Sequence, residues 1–181
     1  MTRQRLSAVD TVLLRAEDPT NPMMVTGVLI FGAPIDFERL RETIESRLLR
    51  FATFRQRVVQ PRLPWSTPYW EDDPDFDLGH HLQRVTLPPP GGQAALQEIV
   101  SQLASTPLDF SRPLWQLHLV ENYSDDSTAS SQDTPIQDGC ALICRLHHSV
   151  ADGVAAVHLL LSLTDPDPQV AEPARPPESQ D

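Results

Sequence analysis

The run His147-His148-Ser149-Val150-Ala151-Asp152-Gly153 gathers the groups that a proton-transfer site needs. An imidazole, with a pKa of about 6.5, takes a proton at neutral pH and gives it back, which is the work of a general base. An aspartate four residues further on can brace the turn or fix the orientation of an imidazole. The glycine beside it permits close approach of the backbone. A His-x-x-x-Asp pair alone is expected by chance about 0.5 times in a chain of this composition. The second histidine and the glycine lower that expectation to roughly one chain in a thousand. From residue types alone a structural reading also stands, in which the run is a turn whose two histidines are satisfied internally.

Other candidate chemistry is weaker. Cys140 and Cys144 lie in the strand-like segment Gly139 to His147. Four residues of strand span about 13 Å, too far for a disulfide and too far for one zinc ion held by both thiolates. Two reduced, buried thiols are the expectation. Asp72, Asp73, Asp75 and Asp77 form an acidic cluster. It lacks the glycine and the terminal glutamate of a calcium-binding helix–loop–helix, so it reads as a solvated turn. The 25 acidic residues outnumber 14 basic ones, all arginine, giving a net charge of −11. Such a chain repels phosphate backbones and shows no basic stripe along its sequence, which argues against a nucleic-acid partner. Anionic lipids reward arginine clusters of the same kind, so any membrane contact is expected to be apolar. No apolar run approaches the roughly 20 residues of a membrane span.

The elements that must position the histidines follow from periodicity. Ser7 and Asp10 have the spacing of a capping box ahead of Val12, Leu13 and Leu14, and Pro19 and Pro22 end that helix. Met24 to Phe31 has the look of a well-buried strand. Asp36 caps a helix in which Phe37, Leu40, Ile44 and Leu48 recur at spacings of three and four. Phe54 to Val59 and His81 to Leu87 read as strands, and the prolines at 61, 64 and 68 make the stretch between them irregular. Leu96, Ile99, Val100 and Leu103 mark a helix from Gln93 to Ser105. Leu114 to Val120 has apolar residues on both faces, as a central strand does. Ser124 to Asp138 is a polar loop expected to be mobile, and Cys140 to Leu146 is the strand expected to be most buried. The motif follows it, and Gly153 to Leu163, with Val154, Val157, Leu160 and Leu161, reads as the closing helix. The histidines thus sit where a buried strand hands over to a helix, a place that can hold a side chain at the mouth of a cleft.

Together these segments resemble the bacterial wax ester synthase/diacylglycerol acyltransferase family, within the chloramphenicol acetyltransferase-like, CoA-dependent acyltransferases. The resemblance rests on the His-His-x-x-x-Asp-Gly block and on further blocks in the family's order. These are Leu6 to Asp10 with Asn21-Pro22-Met23, Phe54 to Arg57, Phe76 to His81, Pro107-Leu108-Asp109, Arg112 to Trp115 and Leu117 to Glu121. It implies an α+β fold, a mixed α/β sandwich, with residues 1–163 as one chloramphenicol acetyltransferase-like domain, half of the usual two-domain enzyme. Residues 164–181, with five prolines, would be a disordered linker.

By the same resemblance, His148 would be the general base in acyl transfer from acyl-CoA to diacylglycerol or a fatty alcohol, with His147 supporting it. Asp152 and Gly153 would shape the turn, the aspartate pairing with an arginine. Pro113, Leu114 and Trp115 match a block near the acyl channel, as substrate-binding residues or as scaffold. The resemblance implies acyl-CoA as co-substrate, no bound cofactor, no metal and no acyl-enzyme. It further implies a second acyltransferase domain or self-association, and a cytoplasmic setting with peripheral contact to membrane or lipid droplets. A non-catalytic lipid-surface or interaction module that keeps the motif as a relic is the alternative, and a plain α+β domain with a structural His-His turn is a third reading.

Overall fold

Local signals start each element that carries the site. The Ser7 hydroxyl accepts the Asp10 N–H at 3.0 Å and opens helix α1 (Ala8–Ala16), which turns Thr11 and Leu14 inward. The Asp36 carboxylate does the same for the Arg39 N–H at 2.8 Å, opening α2 (Phe37–Thr43). A π-helical turn (Ile44–Leu48) continues it, so that Leu40, Ile44 and Leu48 are all buried. The remaining helices are α3 (Gln93–Ser105) and α4 (Gly153–Ser162). Gly91, in the connector before α3, adopts a φ of 75°, and a Cβ there would run into the Asn122 carbonyl. This computed structural model describes residues 3–18, 21–61, 63, 65–125, 136–151 and 153–164.

The strands are β1 (Gln4–Arg5), β2 (Met24–Phe31), β3 (Gln56–Val59), β4 (Tyr69–Asp72), β5 (Leu82–Thr86), β6 (Trp115–Asp125) and β7 (Ile136–His147). They form a four-stranded sheet in the order β2-β7-β6-β5 and a three-stranded sheet in the order β1-β4-β3. Among the described residues only the β5–β6 pair is parallel. On one face of the larger sheet α2, its π-turn and Leu160 of α4 cover Leu117, Leu119, Cys140, Leu142, Cys144 and Leu146. On the other face α3 covers Val120, Ala141 and Ile143. Leu14 of α1 joins Val58 and Trp70 of the smaller sheet in a third cluster that also takes in Leu114. Each leucine buried in this way contributes about 1.5–3 kcal/mol, so the sandwich is a stable frame for the turn at its edge.

Three expectations are corrected. β2 has the bounds read from the sequence, but it is not well buried: it is the first strand of its sheet, and Ile30 is 49% exposed. Apolar composition says that a strand has an apolar neighbour, not how many. Phe54 and Arg55 belong to a 3₁₀ turn (Ala52–Arg55), not to the strand that follows. There the Phe54 carbonyl accepts the indole N–H of Trp115 at 2.9 Å and is turned away from any ladder. The irregular stretch after Pro68 contains β4, which becomes a strand because β1 and β3 pair with its two edges.

β6 and β7 pair as an antiparallel hairpin, while the middle of the expected loop (126–135) and the tail (165–181) lie outside the described residues. Both cysteines are free and buried, and burial pushes the Cys144 thiol up to about 12. Among the described residues no helix is long and apolar enough to cross a membrane.

Candidate active site

The histidine pair is placed by the end of β7. The His147 N–H is the strand's last rung, donating to the Leu114 carbonyl at 3.0 Å on the β6 side. One residue on, the His148 N–H reaches the other way, to the Met23 carbonyl at 2.9 Å just before β2. The Val150 N–H then returns to the His147 carbonyl at 2.9 Å and closes the turn toward α4. Strand alternation and this turn give the two imidazoles different surroundings.

His147 is buried, and Ser149 holds its Nδ1. Its Nδ1 accepts the Ser149 backbone N–H at 3.0 Å and meets the Ser149 hydroxyl at 2.7 Å. An accepting Nδ1 assigns the ring proton to Nε2, which lies 3.5 Å from the Glu17 carboxylate, and the Phe110 ring stands edge-on against the imidazole at 5.7 Å. Burial lowers the His147 pKa, and the Glu17 charge pulls in the opposite direction. Glu17 is the C-cap of α1, and its carboxylate also accepts the Met23 backbone N–H. One carboxylate therefore holds both the His147 ring and the segment that receives the His148 N–H. His148 itself is only half-buried, so it is the more accessible imidazole of the pair.

Gly153 opens α4, whereas Asp152 lies outside the described residues. The Pro113-Leu114-Trp115 block lies close to the site, and Leu114 belongs to the cluster that Val150 packs against. All three residues are buried. Trp115 is stacked on His81 at 4.6 Å between ring centroids and spends its N–H on Phe54. Leu114 acts through its carbonyl, which fixes His147. The block is thus packed into its surroundings here.

A buried polar row beneath α3 escaped the sequence reading. Arg145, on the same face of β7 as His147, reaches across the sheet to Gln116 Oε1 at 2.6 Å, to the Thr106 carbonyl and to Met24 Sδ at 3.6 Å. His118 is buried beside it, and burial, followed by the Arg145 charge, lowers its pKa to about 4. Neither ring nitrogen of His118 has a hydrogen-bond partner among the described residues. The alternation of Leu114, Gln116, His118 and Val120 at the start of β6 and just before it was the available signal for this row. Glu17 offered none, because only the fold brings it to His147.

Residues 6–181 match the model of the wax ester synthase/diacylglycerol acyltransferase catalytic domain. The chain belongs to that family. It is 35% identical over 180 residues to the probable diacylglycerol O-acyltransferase Tgs3 of Mycobacterium tuberculosis, across 96% of this chain and 62% of the relative. Against the probable diacylglycerol O-acyltransferase Tgs1 of the same species it is 36% identical over 163 residues, covering 88% of this chain and 33% of the relative. The solved wax ester synthase/diacylglycerol acyltransferase of Marinobacter aquaeolei VT8 superposes with a TM-score of 0.66 at 29% identity, over 86% of this chain and 37% of that one. The starter condensation domain of rhizomide synthetase RzmA, solved with C8-CoA, shares the fold alone, at a TM-score of 0.67 and 15% identity over 90% of this chain and 34% of that one. These comparisons agree with the α+β, chloramphenicol acetyltransferase-like architecture read from the sequence, and the chain spans from one third to just under two thirds of the relatives it matches. In this family member the first variable position of the motif is Ser149, which supplies both contacts to the His147 Nδ1.

Proposed function

We propose that this chain is the histidine-bearing half of an acyl-CoA-dependent O-acyltransferase that makes triacylglycerol or wax esters from diacylglycerol or a fatty alcohol. The observation that carries the reading is the division of the histidine pair. His147 is buried with Nδ1 committed to Ser149 and Nε2 lying 3.5 Å from the Glu17 carboxylate, while His148 is half-buried on a turn anchored from two strands. His148 acts as the general base: its ring nitrogen takes the proton of the acceptor hydroxyl, and the oxygen attacks the thioester carbonyl of acyl-CoA. The C–S bond breaks as the ester C–O bond forms, and the His148 imidazolium returns its proton to the departing CoA thiolate. Acyl-CoA is a co-substrate, and the scheme asks for no resident cofactor and no covalent acyl-enzyme. Asp152 and Gly153 shape the turn. A second acyltransferase domain, or self-association, completes the substrate channels, and the setting is cytoplasmic with peripheral contact to lipid.

The test is thioester cleavage by this chain with and without a supplied second domain, using palmitoyl-CoA and a diacylglycerol or a fatty alcohol. His148→Ala in the reconstituted pair is expected to lower transfer by about 10²–10⁴-fold with the melting temperature unchanged. A loss smaller than about tenfold would sink the assignment of the base.

A further inference from the structure

The arginines that look scattered in the sequence are gathered by the fold. Arg3 and Arg5 at β1 and Arg15 at the end of α1 surround Trp65, which stands on the loop before β4. Two adjoining hollows of about 460 Å³ each share Arg5, Trp65 and Thr67; one continues to Arg3 and Tyr69, the other to Val12 and Arg15. The Arg15 guanidinium donates to the Ser66 carbonyl at 3.2 Å and so pins the tryptophan loop against α1. Arg3 lies over the Tyr69 ring at 4.9 Å and 3.3 Å from Glu71, a carboxylate that Arg57 also pairs with. The outward stripe of α1 carries Val9 and Val12, both largely exposed at helical spacing. Trp65 is 77% exposed, whereas the other two tryptophans, Trp70 and Trp115, are at 7% and 0%.

We propose that this face is the surface by which the protein sits on an anionic phospholipid bilayer, with Trp65, Val9 and Val12 at headgroup depth and Arg3, Arg5 and Arg15 on the phosphates. An exposed tryptophan beside a short apolar helix face, rimmed by arginine, has the composition of a membrane-interface contact. The rest of a molecule of net charge −11 is repelled by such a surface, so the arginine rim favours the orientation with this face toward the lipid, against the Glu71 and Asp10 carboxylates nearby. This departs from the expectation of a purely apolar contact, because the cluster exists in space and not along the chain. Placement adds a reason: α1 ends at Glu17, whose carboxylate lies 3.5 Å from His147, so the helix lying on the membrane is the one whose C-cap borders the histidine pair. The proposal rests on the reading of an enzyme with a membrane-borne acceptor, but its test measures binding without turnover, so the two can fail separately.

Because Trp65 is the exposed tryptophan, intrinsic fluorescence reads this face directly. The full chain is titrated with vesicles of phosphatidylcholine alone and of phosphatidylcholine mixed with phosphatidylglycerol, and co-sedimentation is measured in parallel. A blue shift with the mixed vesicles that weakens with added salt is expected. Arg5→Glu should reduce partitioning at least about fivefold. Trp65→Ala should abolish the shift and weaken sedimentation, whereas Arg50→Glu, the same charge change beside Phe51, should leave binding in place. Absence of binding to either vesicle overturns the proposal, as does equal binding by wild type and Arg5→Glu. A shift produced by ADP or pyrophosphate without lipid would make the face a soluble-phosphate site instead. A shift that follows protein concentration alone would make it a contact between copies of this chain.

Discussion

Strand β7 shows the same backbone two different faces. Cys140, Leu142, Cys144 and Leu146 point into a dry cluster closed by α2 and α4. Ala141, Ile143, Arg145 and His147 point beneath α3 and toward α1, where the apolar lining gives way to a guanidinium, two imidazoles and the Glu17 carboxylate. The first face holds the sheet together through area removed from water. The second carries polar groups whose burial is costly without partners, as at His118, and the contacts of His147 are also what make it a fixed support for His148. Stability and site geometry are thus divided between the two sides of one strand.

That division can be broken most strongly from the dry side. Leu142→Ala removes a buried side chain from the larger cluster and should cost about 2–5 kcal/mol in denaturant unfolding, while the His147 imidazole resonances stay as they are. A cost below about 1 kcal/mol, or a disturbed His147, would show that the two faces are not independent.

The polar side should reveal itself through pH. Unfolded His118 binds a proton below about pH 6.5, and native His118 not until about pH 4, so between these values the unfolded chain holds more protons. The corresponding stability is fully present above pH 6.5 and is lost as the pH falls toward 4, by up to about 3 kcal/mol. His118→Leu should flatten the wild-type slope in that window, although the lowered His81 and His147 leave part of it. An unchanged slope would remove His118 from this account.

Glu17→Gln has the smallest expected effect on stability, within about 1 kcal/mol, since the amide oxygen still accepts the Met23 N–H. What it strips is the charge that raises the His147 pKa. Imidazole ¹⁵N spectra should then show His147 titrating at still lower pH with a weaker preference for the proton on Nε2. Titration identical to wild type would show that Glu17 holds the backbone and not the ring.

Much of the fold was legible because it depends on neighbours in the sequence. The Ser7 cap, the Asp36 cap and the stripe of α3 are interactions over three or four residues, and those elements begin where the residues say they do. The heavy burial of β7 followed from the apolar run Cys140 to Cys144, as expected of a central strand. β4 was hidden because four residues between a proline and an acidic turn become a strand only when two other strands supply its hydrogen bonds. The position of β2 at the side of its sheet was hidden for a related reason: its own residues are apolar whether one neighbour or two lie beside it.

By itself, the sequence determined the histidine pair, its place between a buried strand and a helix, and the family, since motif and periodicity are properties of the chain. Tertiary structure decided which histidine is held and which is left open. Ser149 is two residues from His147, but Glu17, Leu114 and Met23 reach the pair only when α1, β6 and β2 converge on the end of β7. It also decided that Arg3, Arg5, Arg15 and Trp65 make one surface. Charge along a chain sums to −11, but electrostatic attraction acts over distances in space, and folding sets those distances.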